Sequence, residues 1–220
     1  MNRPANYRPR SALARAFIIT PWLLLAPAAR GDDSIPLSAK VIKLVGEARY
    51  QDKKHPDWHE LRAGYQLAGE WFLQTDMSHS TGVDIELGGS SAGGRMTVHI
   101  FSSTILKLIG ASSNKSGSVE SRNIRLDLRS GQIRISLDGI SDYSFTLIRA
   151  GGPVHLTVAR SNQDPKETIF VFGRDLTVLK GAVTTSMGTG TNIVIHAGEQ
   201  LGVKGASKTP TDAPELKLGQ

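Results

Sequence analysis

Ile124-Arg125-Leu126-Asp127-Leu128-Arg129-Ser130-Gly131-Gln132-Ile133-Arg134-Ile135-Ser136-Leu137 decides the fold class, because apolar residues take every second position on both sides of Ser130-Gly131. A period of two sends Ile124, Leu126 and Leu128 to one face of a strand and Arg125, Asp127 and Arg129 to the other. Ile133, Ile135 and Leu137 stand against Arg134 and Ser136 in the same way. With a glycine between them, the two halves read as a β-hairpin. Upstream, Val83, Ile85 and Leu87 alternate with Asp84 and Glu86, and Met96, Val98 and Ile100 alternate with Thr97 and His99. Downstream come Phe145 and Leu147, then Val154, Leu156 and Val158 beyond Gly151-Gly152-Pro153, then apolar segments at 168–172, 176–179, 182–185, 193–195 and 201–203. No long segment after residue 29 keeps a 3.6-residue apolar stripe, so helix is a minor component.

Four glycines punctuate this ladder. Leu128-Arg129-Ser130-Gly131, Ile148-Arg149-Ala150-Gly151, Val178-Leu179-Lys180-Gly181 and Ile195-His196-Ala197-Gly198 each close one apolar segment and open another. A turn there needs a positive φ, which glycine adopts at low cost. Their unequal spacing is quasi-repetition without the fixed period of a strict solenoid. Composition marks 88–94, 110–118 and 161–166 as surface loops and 205–220 as a mobile tail.

Residues 1–28 read as a secretory signal peptide. Arg3, Arg8, Arg10 and Arg15 form a basic front, 16–25 an apolar core, and Ala26-Pro27-Ala28 a small-residue cleavage site, so a mature chain is expected to start at Ala29. The apolar run falls short of the ~20 residues a spanning helix needs, and no later stretch approaches that length. With no cysteine there is neither a lipidated amino terminus nor a disulfide framework, so stability rests on apolar burial. Sec export into a periplasm or beyond is expected. The full chain carries 26 Lys and Arg against 20 Asp and Glu; without the four leader arginines the basic count is 22. Such a near-balanced chain, with no basic patch, lacks the footprint of a nucleic-acid binder. One domain is the prior at this length.

The segment 46–75 sets Gly46, Trp58, Leu61, Gly64, Leu67 and Thr75 at fixed gaps in a polar background. A strand at 83–87 follows, with Gly88-Gly89 at its turn. Farther on stand the leucine-rich run 126–135, the Val178 to Val183 segment around Gly181, and a closing Ala197-Gly198-Glu199. This order resembles the periplasmic FecR domain family, over roughly residues 38–204. The resemblance implies an all-β domain built as a β-solenoid-like stack of short strands with glycine turns; composition alone equally allows a β-sandwich. In place of the family's Arg-Gly-Thr, this chain has Ala150-Gly151-Gly152-Pro153-Val154. The family's regulators carry an anti-sigma segment and a membrane helix ahead of the domain, where this chain has its leader. The expectation is therefore an exported, non-enzymatic module of the bacterial cell envelope, sensing a signal or contacting an envelope protein partner. A glycan or surface-polymer binding module is the alternative.

Chemical readings compete weakly with that one. Gly89-Ser90-Ser91-Ala92-Gly93 fits the Gly-x-Ser-x-Gly nucleophile elbow, but a strand rather than a helix follows it, so a chance match in a turn is the better account. Asp84 and Glu86 read as the solvent face of a half-buried strand rather than as a catalytic pair. His55 and His59 are four apart, yet Pro56 argues against a helix that would bring them together, and His79, His99, His155 and His196 are scattered. No metal or cofactor is expected. Arg30-Gly31-Asp32, beside the cleavage site, reads as coincidental, and Asn114-Lys115-Ser116 fits a glycosylation acceptor that has meaning only in a eukaryotic secretory route. Trp58 and Trp71 could line a carbohydrate platform, although in the FecR pattern Trp58 is expected to pack beneath the following turn.

Overall fold

The computed structural model describes residues 35–78, 80–88, 94–116, 119–139, 142–158, 167–186, 192–202 and 205–207. The leader, Arg30-Gly31-Asp32, His79, the serine-glycine segment 89–93 and the loop 161–166 lie outside the described residues. The described residues are all-β and contain no helix. In chain order the strands are β1 (Ile35–Pro36), β2 (Ala39–Val45), β3 (Ala48–Asp52), β4 (His59–Glu60), β5 (Gln66–Leu67), β6 (Trp71–Thr75), β7 (Gly82–Leu87), β8 (Arg95–Ile100), β9 (Ile105–Ser116) and β10 (Val119–Ser130). They continue with β11 (Ile133–Asp138), β12 (Asp142–Arg149), β13 (Gly152–Val158), β14 (Glu167–Phe172), β15 (Leu176–Lys180), β16 (Ala182–Ser186), β17 (Asn192–His196), β18 (Gln200–Gly202) and β19 (Gly205–Ser207).

Two sheets result, and neither closes on itself. The first runs β4-β3-β6-β9-β10-β12-β13-β16-β17, with β1 also paired to β9; the second runs β5-β2-β7-β8-β11-β14-β15-β18-β19. Alternation explains the layering. Every even-odd repeat sends one set of side chains inward, and residues of both sheets join in one apolar cluster, among them Leu73, Leu106, Leu126 and Phe145 from the first and Val83, Val98, Ile135 and Phe170 from the second. Phe145 stacks edge-to-face on Phe170 across the two sheets at 5.5 Å and 81°, a geometry that contributes about 0.5–1.5 kcal/mol beyond area burial. Arg122 takes an inward position on β10 and is 0% exposed. Its Nε donates to Glu120 at 3.0 Å and its Nη1 to the Gly94 carbonyl at 3.0 Å.

The route between sheets departs from the sequence expectation at Gly131. Strands β10 and β11 do not form a hairpin: β10 pairs with β9 and β12, and β11 with β8 and β14. Gly131, at φ 80°, turns the chain across to the opposite sheet, and a Cβ there would stand 2.6 Å from the Cα of Thr104. Periodicity gives each strand its inward face but is silent about which strands share a ladder. The crossings from β2 to β3, β6 to β7, β8 to β9 and β10 to β11 sit together at one end and are hydrogen-bonded to one another: Asp76 N to Glu47 O at 3.0 Å, Ser103 N to Asp76 O at 2.8 Å, and Phe101 N to Gln132 O at 3.2 Å. Strand β12 then enters parallel to β10, the one parallel pair among the described strands. From there the crossings lie at the other end, where Ala197 N donates to Gly181 O at 3.0 Å.

Three smaller expectations are corrected. Residues 110–116 are not loop but the far half of β9, laddered against β10 from Ala111↔Ile124 to Ser116↔Val119; paired backbone outweighs a polar, glycine-containing composition. The acceptor-like Asn114 is therefore part of a strand. At the β12–β13 turn the positive φ falls on Gly152 rather than on Gly151. The head of the expected tail, Gly205–Ser207, pairs with Gln200–Gly202.

Candidate functional site

The segment 46–75 builds a lid over one edge of the two-sheet stack. Gly46, at φ 75° and pressed against Thr81, turns the chain from β2 into β3. After the 53–58 loop, β4 becomes the outermost strand of the first sheet, and β5 the outermost strand of the second. Between them the chain spans the layers. Leu61 N donates to Ala48 O at 2.8 Å in the first sheet, whereas Gly64 N donates to Val41 O at 2.7 Å in the second, with Gly64 bending the chain at φ 85°. Leu61 and Leu67 are buried in the core beneath. The Trp-x-x-Leu-x-x-Gly-x-x-Leu spacing is thus the spacing of an edge cap. Its two leucines plug the gap and its glycine makes the bend.

Trp58 departs from the expectation. It lies at the surface, 42% exposed, instead of beneath the turn, and Trp71 is the buried tryptophan at 2%. A shared carbohydrate platform is excluded by that burial. Trp71 points inward on β6 between Asp52 and Leu108 in the ladder, and its Nε1 has no hydrogen-bond partner.

Sequence reasoning missed the aromatic cluster under the cap. Tyr50 Oη donates to Tyr65 Oη at 2.7 Å. The rings of His55 and His59 stand 5.2 Å apart and each lies within 6 Å of the Tyr50 ring. No helix brings the histidines together; a turn closed on Asp52 does. The Asp52 carboxylate accepts Lys54 N at 2.9 Å, His55 N at 2.7 Å and a His55 ring nitrogen at 3.0 Å. The legible signal was an Asp three residues ahead of a His-Pro pair. Burial pushes the Asp52 carboxyl up, but the His55 and Lys54 hydrogen bonds outweigh it and hold it below the usual range. Burial, then the bond to Tyr65, pushes the Tyr50 phenol up to about 12. Among the described residues no three His, Asp or Glu side chains form a group able to hold a metal ion.

Two clefts flank the cap. One, of about 870 Å³, lies at the end of the first crossings against Arg49, Glu60, Gln74 and Met77. The other, of about 1000 Å³, lies between the 53–58 loop and β6, against Lys53, Lys54, Trp71, Phe72 and Lys107. Phe72 faces outward with Arg129 at 4.7 Å and Lys107 at 5.1 Å from its ring centre.

Comparison with protein-family models, with characterised proteins and with solved structures gives no match.

The remaining sequence candidates fall into structural places. Thr75 is buried and hydrogen-bonds the Phe101 carbonyl at 2.7 Å. Gly181 and Gly198 meet at the closing corner, where Gly198 N donates to Val178 O at 2.8 Å and the Glu199 carboxylate accepts His196 N at 2.9 Å. Asp84 and Glu86 are not joined: Asp84 pairs with His99 and Glu86 with Arg95 at 3.4 Å. The His99 hydrogen bond holds the Asp84 carboxyl below its usual range against the opposing effect of burial. No helix among the described residues is long and apolar enough to cross a membrane.

Proposed function

We propose that this chain is an exported, non-enzymatic, FecR-like β module that acts by protein contact in the bacterial cell envelope, and that its two sheets form a sandwich. The observation that supports contact is the inequality of the two lateral edges. At one, the 59–67 segment ties the sheets together; at the other, among the described residues, β17 ends the first sheet with Val194 49% exposed. An uncovered strand edge offers backbone donors and acceptors to a partner strand. Antiparallel ladders at all but one pairing favour a sandwich over a solenoid of parallel coils. Photo-crosslinking from position 194 in the exporting cell is expected to trap one discrete protein, and Val194→Lys is expected to abolish capture of that protein from a photoreactive residue placed at Asn192, exposed on the same strand. No adduct from 194, or the same adduct from position 97 on a central strand, would refute the reading.

A second reading, a glycan-binding module, is favoured by the exposed Trp58 ring beside the 53–58 loop. An exposed aromatic face on a loop suits stacking against a sugar ring.

A further inference from the structure

The hydrogen-bond phase of β17 shows which of its groups are left over. The ladder sets Ala182 opposite His196 and Thr184 opposite Val194, and just beyond the strand Ala197 N donates to Gly181 O at 3.0 Å. Bonded and non-bonded pairs alternate in an antiparallel ladder. Ile195 and Ile193 therefore bond to β16, while Asn192, Val194 and His196 turn N–H and C=O to the open side. His196 is closed off by its own corner: its N–H donates to the Glu199 carboxylate at 2.9 Å and its C=O accepts Glu199 N at 2.9 Å. Asn192 and Val194 remain, and among the described residues no strand lies beyond them. Their edge is unguarded. Asn192–His196 contains no proline, lysine or carboxylate and pairs with β16 without a bulge, whereas such devices ordinarily keep sheet edges apart.

We propose that β17 pairs antiparallel with β17 of a second copy of this chain, about a two-fold axis at Ile193, so that the first sheet runs on from one subunit into the other. In that register Asn192 of each copy stands opposite Val194 of the other, and every backbone group that the Glu199 corner leaves free gains a partner. A two-fold interface uses one patch twice, and a strand open at just these positions is its own complement. The side chains agree. Ile193, partly buried on the inner face, meets Ile193 of the second copy and carries the apolar layer across the axis; on the outer face Val194 lies against Asn192, and residues 192–195 bear no charge to repel one another. The inference deepens the protein-contact reading, rests on it, and names the partner.

The chain purified from the exporting cell is expected to sediment as a dimer. Val194→Pro removes an outward N–H and blocks the edge while sparing the ladder to β16, so it is expected to halve the sedimenting mass and keep the β-type circular dichroism; should that variant not fold, Val194→Lys is read in the same way. Ile193→Cys, in a chain without cysteine, places two thiols on a non-bonded pair whose Cα atoms are about 4.5 Å apart in this register, within disulfide reach. Mild oxidation is expected to link that variant into a reducible dimer and to leave Thr97→Cys unlinked. A dimer untouched by substitution at Val194 overturns the interface, and a dimer in which Ile193→Cys stays unlinked overturns the register. A monomer whose photo-adduct from position 194 holds a different protein leaves the contact reading standing and the self-pairing wrong; a monomer with no adduct defeats both.

Discussion

The hydroxyl of Thr75 accepts the amide of Thr104 at 2.9 Å while donating to the carbonyl of Phe101 at 2.7 Å, so one side chain satisfies two backbone groups where the chain crosses from β8 to β9. Thr104 repeats the device one crossing later. Its hydroxyl accepts Gln132 N at 3.1 Å and lies 3.2 Å from the carbonyls of Ser102 and Gln132. Buried threonines thereby do for the corners what the ladders do for the strands.

Thr75→Val keeps the shape and removes the hydroxyl, leaving a buried amide and carbonyl unpaired. The expected loss is about 1–3 kcal/mol in urea unfolding, and Thr75→Ser is expected to lose less. Equal losses in the two variants would show that the methyl group, not the hydroxyl, matters.

Gly131→Ala and Gly64→Ala separate crowding from backbone strain. Both glycines have positive φ, but a Cβ at Gly131 meets Thr104 whereas one at Gly64 meets open space. The Gly64 variant is expected to cost about 1 kcal/mol, the price of the left-handed backbone alone. The Gly131 variant is expected to cost several times that or to prevent folding, as read by thermal unfolding.

Asp52 and Asp84 both titrate below the ordinary value of 3.8. A carboxylate whose folded value is depressed contributes stability that is complete above its unfolded value and lost as pH falls through the folded one. Stability is therefore expected to decline as pH drops below about 5. Asp52→Asn with Asp84→Asn should flatten that decline; an equally steep profile in the double variant would contradict it.

Arg122 is fully buried beside a partly exposed Glu120. Arg122→Ala removes a filling side chain and orphans the Gly94 carbonyl, for an expected loss of about 3–5 kcal/mol. Arg122→Met retains most of the volume and is expected to lose less. Denaturant midpoints of the two variants decide whether the charge or the packing dominates.

Tyr50 provides a spectroscopic check on the cap. Ultraviolet titration should find the Tyr50 phenol ionising near 12, and Tyr65→Phe, which deletes its hydrogen-bond partner, should lower that value while burial keeps it above the ordinary value of 10.0. An unmoved titration would mean that the Tyr50–Tyr65 bond is absent in solution.

What the sequence discloses is local. Val83, Ile85 and Leu87 alternate and are buried; Ile133, Ile135 and Leu137 do likewise, because a period of two is a property of one strand. Pairing is not local. Gly131 has the composition of a hairpin turn, and only its contact with Thr104, from another crossing, makes it a corner. The cap was half legible: the gaps among Leu61, Gly64 and Leu67 marked a unit, but which tryptophan is buried depended on Trp71 facing inward in a ladder with Leu108. The His55 and His59 contact escaped because it is made by an Asp52-centred turn, whose signal lies in backbone bonding rather than in spacing. The cleft between Lys53 and Phe72 joins residues of a loop and a strand, so no motif announces it.

The strand order also describes a history of growth. From β7 onward each strand is laid beside one that the preceding chain has already formed: β8 on β7, β9 on β6, β11 on β8, β14 on β11, β16 on β13. Both sheets therefore extend in the direction of synthesis from the capped edge, and each addition leaves a fresh template for the next. Among the described residues, that advancing front in the first sheet comes to rest at β17, so the strand presented last there is the one from which accretion by another chain would continue.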